Sequence, residues 1–243
     1  MGEPSYSRDE LVSELTSYYE FLTQLYLPPE VIQHPPEDGW EHSTPEFVDS
    51  FCLGKNDTVA DLMRHIPYIR RTKEDDWEPW QIYGNATAVD FTSDVVLDLP
   101  TKYAKESLFE PEEGSISHIP PHVFVYATIP SGHNGRYIFI DTERGTIVLA
   151  DPQTAPDEEA WRRFQTYNFG EFFSMAKEMF RKFEMIAVDR KHVHCTSPDT
   201  PQAQIYQEEG VFTERYNRER CMDRLDEYRE RKNRENREAQ GHE

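Results

Sequence analysis

The sequence predicts an α+β fold, one mostly antiparallel sheet packed by helices, with a charged C-terminal helix. Three observations predict it. Apolar residues recur every three or four positions near the N-terminus, alternate along several short runs in the middle, and return to helical spacing behind a capping signature. The 14 Phe, 13 Tyr and 4 Trp among 243 residues supply large rings for a core, which disordered chains lack.

Ser7 and Glu10 form a capping-box pattern, in which each side chain satisfies the other residue's free amide. Behind them Leu11, Leu15, Tyr18, Leu22 and Leu25 share one helical face, which Pro28 and Pro29 terminate. Residues 27–45 are proline-rich and read as an irregular connection. A second helix is expected after Asn56, Asp57 and Thr58, with Val59, Leu62, Met63, Ile66 and Ile69 on one face and Pro67 ending or bending it. Residues 73–78 make a short acidic patch. Gln81–Tyr83 and residues 87–91 read as short strands joined at Gly84 and Asn85, a tight turn. Residues 97–121 show no period and read as a long loop, with one helical turn near Tyr103.

The strongest strand signal follows. Over residues 122–128, Val123, Val125 and Ala127 alternate with Phe124 and Tyr126. Tyr137–Asp141 and Thr146–Ala150 are two more strands, joined through a turn in which Gly145 supplies a positive φ. Asp157 is placed to cap a short helix carrying Trp161 and Phe164. Asn168 and Glu171 form a second capping-box pattern, opening a helix whose apolar face holds Phe169, Phe172, Phe173, Ala176, Met179, Phe180 and Phe183. This helix is expected to pack across the sheet. From residue 214 onward there are nine basic and nine acidic residues, so the whole net charge of −20 resides in residues 1–213. Glu227 with Arg231 and Glu230 with Arg234 are favourable four-residue pairs, and a solvated, fraying helix is expected. The division is thus an α+β domain over residues 1–200, with inserts at about 35–57 and 97–121, and a charged helical tail over 201–243.

Composition narrows the class of partner. A charge of −20 repels nucleic-acid phosphates and anionic lipid and favours a basic protein. Cys52, Cys195 and Cys221 lie far apart without a C-x-x-C spacing, so neither a disulfide framework nor a zinc ribbon is indicated. The N-terminus lacks the basic start and apolar stretch of a secretory signal, and a myristoylation pattern fails because position six is Tyr6. No run approaches the length of a membrane helix. The expectation is a cytoplasmic protein, with the nucleus open, that needs no cofactor.

Candidate chemistry is sparse. Lys191-His192-Val193-His194-Cys195 places two imidazoles and a thiol within four residues, and strand alternation puts both histidines on one face. Structural zinc needs four ligands, and no second compact ligand pair accompanies them, so an exposed segment is the leading reading. A metal-dependent hydrolase using His192, His194 and nearby carboxylates is the alternative, with Cys195 the third candidate ligand. Ser131-Gly132-His133-Asn134-Gly135 lacks the nucleophile-elbow spacing and suits a turn. Asp90, Asp94, Asp98 and Asp141 are clustered carboxylates without an EF-hand pattern. No phosphate-binding glycine loop is present. Trp77, Trp80, Tyr83 and Phe91 concentrate large rings. Exposed together they would form a hot-spot patch for a protein partner, whereas rings on strands are usually packed as core, the favoured reading.

The C-terminal half resembles a known family. Gly135-Arg136-Tyr137-Ile138-Phe139-Ile140-Asp141-Thr142 is similar to the strand that carries a Tyr-x-x-x-Asp pattern in the SUKH superfamily. Residues 143–148 resemble its glycine turn and following strand, and Trp161 with Asn168-Phe169-Gly170-Glu171-Phe172-Phe173 resembles its closing segment. Leu27-Pro28-Pro29 is similar to its Leu-Pro step. The resemblance spans residues 8–184 and is tight over 122–184. It implies an α+β fold and non-catalytic protein binding, as in a fungal cell-wall-synthesis regulator and bacterial toxin-immunity proteins. It carries over no site residue, because members bind unlike partners. A structural protein using the charged tail for assembly is the remaining alternative.

Overall fold

A computed structural model describes residues 5–41, 54–70, 79–93, 119–129, 135–150 and 164–240. Half of the first capping box forms: Ser7 Oγ accepts from the Glu10 amide at 3.3 Å and opens helix α1, Arg8–Thr23, without the return bond from the Glu10 side chain. Helix α2, Asp57–His65, is capped by the Asn56 side chain, and ends before Pro67. Because proline stops it there, Ile69 lies not on the helix but on strand β2, Tyr68–Ile69. That strand pairs antiparallel with β1, Ile32–Gln33, which lies inside the proline-rich connection.

The main sheet has six strands in sequential antiparallel order: β3 Gln81–Tyr83, β4 Ala86–Ala88, β5 Val123–Thr128, β6 Tyr137–Asp141, β7 Thr146–Ala150 and β8 Gln165–Asn168. With its helices it makes the α+β fold that the hydrophobic periods predict. Strand β4 is shorter than expected because Asp90 Oδ1 accepts from Thr92 N and Oγ1, turning the chain out of the extended state. Gly145 has φ +63 in the β6–β7 turn, and a Cβ there would lie 2.8 Å from the backbone of Ser5 and Tyr6. The predicted left-handed glycine is therefore also a site of close chain approach.

Helix α3, Phe169–Arg181, opens with a complete capping box between Asn168 and Glu171. It packs beside α1, with the rings of Tyr18 and Phe173 5.3 Å apart. Phe183 does not continue its apolar face, because the helix ends at Arg181 and Phe183 has φ +57. Two tyrosines of this layer reach the sheet: Tyr18 Oη donates to the Ile82 carbonyl and Tyr26 Oη to the Gln81 carbonyl, each at 2.5 Å. Both hydroxyls are buried and satisfied, which makes α1 a cover for the β3 end of the sheet.

A hairpin that periodicity does not reveal closes that end. Strands β9, Met185–Ala187, and β10, Val193–Cys195, pair antiparallel. Gln81 N–H donates to Lys191 O at 2.9 Å, Asn85 N–H to Val193 O at 2.8 Å, and Val193 N–H to Gln81 Oε1 at 2.7 Å. An open sheet edge invites pairing with other chains, and these bonds remove it. Helix α4, Pro201–Glu209, and helix α5, Arg218–Gln240, complete the chain. Cys221, Met222 and Leu225 of α5 are buried in the common core, whereas residues 229–239 are exposed on every side. The tail is thus solvated only in its second half. Among the described residues no helix is long and apolar enough to cross a membrane.

The residues 73–78, Tyr103, Asp157 and Trp161, with their expected patch, turn and short helix, lie outside the described residues. Phe164 directly precedes β8.

Candidate functional site

The metal candidates lie at the β9–β10 turn. Val193 is buried, and His194 and Cys195 are exposed. The turn folds around Asp189, whose Oδ1 accepts from the amides of Lys191 and His192, both at 2.9 Å. His192 Nδ1 lies 2.9 Å from both carboxylate oxygens, and Arg229 Nη1 reaches Oδ2 at 2.5 Å. Burial pushes the Asp189 pKa up, but the hydrogen bonds from His192 and two backbone amides outweigh it and hold the carboxyl well below its usual range. His192 is therefore oriented by a carboxylate that the turn and α5 already engage. Among the described residues no three His, Cys, Asp or Glu side chains converge on one point. Cys195 is exposed as a residue, but its Sγ lies against Gly84, and burial there raises the thiol pKa, away from the thiolate that binds metal or attacks.

The other carboxylates shape turns. Asp90 caps Thr92, and buried Asp141 accepts from the amides of Glu143 and Arg144 at 3.0 and 3.1 Å. Asp94, Asp98 and Ser131-Gly132-His133-Asn134 lie outside the described residues.

Of the aromatic candidates, Trp77 lies outside the described residues. Trp80, Tyr83 and Phe91 are 7%, 6% and 2% exposed. An exposed hot-spot patch is therefore not what they form. Tyr83 packs on the Phe172 ring of α3 at 5.9 Å, Phe91 on Phe124 at 5.5 Å, and Lys191 Nζ lies 5.6 Å from the centroid of the Trp80 ring. Helix α3 covers Tyr83, the β9–β10 hairpin flanks Trp80, and Phe91 packs between Phe124 and Tyr68, neighbours not apparent from the strand sequences.

What the turn builds is a clamp on α5. Arg190 reaches Glu219 at 2.8 Å, Asp223 at 2.5 Å and Asp226 at 3.1 Å, carboxylates spaced four and three apart on one helix face. From the other side Glu209, nearly buried at the end of α4, pairs with Arg220 at 2.5 Å and Arg224 at 2.7 Å. Arg229 ties the Asp189 turn to the Arg190 cluster by bridging Asp189 and Asp226. The spacing of Glu219, Asp223 and Asp226 was visible in the sequence, but their partner was not.

The acidity is also unevenly placed. Residues 9–41 carry eight carboxylates and no Lys or Arg. Seven of these, Asp9, Glu10, Glu20, Glu30, Glu37, Asp38 and Glu41, are exposed, and Glu14 is half-buried. From α3, Lys177 approaches this stretch by a hydrogen bond to Ser17, and Arg8 pairs with Asp61.

Lys55 is a half-buried lysine outside these ion pairs. Its Nζ donates to the carbonyls of Ile119 at 3.3 Å and Pro120 at 3.2 Å, and burial lowers its pKa to about 7. An unfolded lysine titrates near 10.4. Between these values the unfolded chain binds a proton that the folded chain does not, so this group makes stability rise with pH across that window. Below the folded value the burial penalty is constant. Lys55→Met is expected to stabilise the protein by about 2 kcal/mol at pH 6, after the loss of two hydrogen bonds, with the gain gone by about pH 10. Urea melts of both proteins at the two pH values measure it, and a difference independent of pH would refute the assignment.

Comparison with protein-family models, with curated proteins and with solved structures found no match to this chain.

Proposed function

We propose that this chain is a SUKH-type protein-binding module of the cytoplasm or nucleus, which acts by binding rather than catalysis and engages a basic protein through the acidic face of α1 and the segment after it. The observation that carries this reading is the run from residue 9 to 41, eight carboxylates without one Lys or Arg, seven of them exposed. Such a face steers cationic partners and repels phosphate and anionic lipid. The sequential antiparallel sheet under α1 and α3 supports the family reading, as does the work done by its motif residues: Asp141 shapes the β6–β7 turn and Asn168 with Glu171 opens α3.

The test is affinity capture on the immobilised full chain at about 0.05 and 0.5 M salt, beside a variant with Glu10, Glu20, Glu30 and Glu37 changed to Gln. Basic proteins are expected to be retained at low salt and released at high salt, where the Debye length falls to about 4 Å. The variant should retain at least tenfold less of them. No protein partner at any salt, or equal capture by the variant, would refute the proposal.

A further inference from the structure

We propose that Thr200 is the acceptor of a proline-directed protein kinase, and that Arg231 holds the phosphate it receives, across the cleft between α4 and α5. None of these residues belongs to the acidic stretch 9–41, so the basic-partner reading is not needed for it.

Ser197-Pro198-Asp199-Thr200-Pro201 joins β10 to α4. Thr200 has proline two residues before it and directly after it, and this Pro-x-Thr-Pro arrangement occurs once in the chain. Each proline has a physical role. A kinase of this class offers no acceptor to the amide after the phosphorylated residue, and proline has no N–H there to leave unpaired. The earlier proline fixes its own φ, which stiffens the segment toward the extended form a substrate takes in the kinase groove. Ser197, Pro198, Asp199 and Pro201 are exposed, and Thr200 is half-buried. Its Oγ1 donates to Ser197 O at 3.0 Å and accepts from the Ala203 amide at 3.4 Å. The second bond is longer than the usual range of about 2.7–3.2 Å, and the first closes one short turn, so local opening presents the hydroxyl without disturbing the core.

The facing helix supplies a cation. The cleft encloses about 340 Å³, with Pro201 at the start of α4 on one side and Arg224, Glu227, Tyr228 and Arg231 of α5 on the other. Arg220, Arg224 and Arg229 are engaged by Glu209, Glu208 and Asp189. Arg231 lies 5.3 Å over the Tyr228 ring and forms no ion pair among the described residues, not even the one with Glu227 that its spacing predicts. Glu208, the other carboxylate of the cleft, is taken by Arg224, so Glu227 is the acid that a phosphate there would face. A phosphate carries a charge of about −2 and three acceptor oxygens, which favours it over a single carboxylate for Arg231. It would also stand at the N-terminal end of α4, where the first amides and the helix dipole favour an anion. In the transfer, Thr200 Oγ1 bonds to the γ-phosphorus of ATP as the bond from that phosphorus to the β–γ bridging oxygen breaks. ADP leaves, and the hydroxyl proton passes to the kinase's catalytic carboxylate.

The full folded chain is incubated with MgATP and a proline-directed kinase that reads Pro-x-Ser/Thr-Pro, and tandem mass spectrometry locates the phosphate. One phosphoryl group per chain is expected, on Thr200. Thr200→Ser should retain it, Thr200→Asn, which caps α4 without a hydroxyl, should lose it, and Pro201→Ala should slow it at least tenfold. Incorporation only in urea, incorporation on Ser197 in place of Thr200, or a rate unchanged by Thr200→Asn or by Pro201→Ala would overturn the assignment. The phosphorus-31 resonance of the phosphorylated chain is then followed against pH. Its titration midpoint should lie at least about 0.5 unit below the usual value near 6, because a neighbouring cation favours the dianion. Arg231→Gln should recover half or more of that difference, and an unchanged midpoint in this variant would overturn the role of Arg231.

Discussion

Ending the chain after Gly210 is expected to abolish cooperative folding, whereas ending it after Lys232 should leave the melting temperature within about 2 °C of the full chain. The first cut removes Cys221, Met222 and Leu225 from the core, where each is at most 1% exposed. Burial of such side chains is worth roughly 1.5–3 kcal/mol apiece for the larger two. The same cut strips Arg190 of all three carboxylates, Glu209 of both arginines and Asp189 of Arg229. Glu209 becomes the penultimate residue and is freed to solvent by this cut, so what is lost there is two ion pairs and the docking of α5 on α4. Against a typical total stability of roughly 5–15 kcal/mol, the combined loss is most of the fold. The second cut removes residues 233–243, of which those described through 239 are exposed. Thermal melts by circular dichroism decide it, and a Gly210-terminated chain that melts cooperatively near the parent would show that α5 is an appendage. The shorter cut is also the clean test of assembly through the charged helix: a fall in oligomer mass after Lys232, without loss of fold, would support that reading.

The parts of this fold that were legible in the sequence are those decided within a few residues. The Asn168–Glu171 box closes in both directions because its two residues are three apart on a nascent helix. Gly145 takes its positive φ, and β5, β6 and β7 follow their alternation of large apolar residues. The parts that were not legible depend on distant chain. Strand β8 is a mostly exposed edge, so it carries no hydrophobic period to read. Strands β9 and β10 are three residues each, too short to show a period; they pair with each other, and β10 is held by Gln81 and Asn85 from more than a hundred residues away. Thr200 followed by Pro201 is a helix-start signal for α4 that its weak amphipathicity hides. The candidate sites follow the same rule. The absence of Lys and Arg over residues 9–41 is plain in the sequence, but the exposure of those carboxylates is a property of the fold. The Pro-x-Thr-Pro run at 198–201 is equally plain, but Arg231, which faces it across the cleft, is placed there by the fold.

The second large effect is expected at Asp189. Replacing it with alanine should lower stability by about 3–5 kcal/mol at neutral pH, the range for removing one partner of a buried, multiply bonded charge. One carboxylate accepts from the amides of Lys191 and His192, from His192 Nδ1 and from Arg229. Without it the turn loses the acceptor that bends it, and Arg190, carried on the same turn, loses its aim at Glu219, Asp223 and Asp226. The damage should therefore spread to α5. The pH dependence separates this from simple loss of packing. The folded pKa of Asp189 is depressed, so its contribution is fully present above the unfolded value near 3.9 and is lost as pH falls below that toward the folded value. The parent should lose stability steeply on acidification through this window, and Asp189→Ala should lose less, so that the two converge at low pH. Asp189→Asn retains one acceptor for the backbone amides but not the charge, and is expected to fall between them. A gap between Asp189→Ala and the parent that stays constant from pH 7 to pH 3 would mean that the carboxylate acts through its volume and not through its charge.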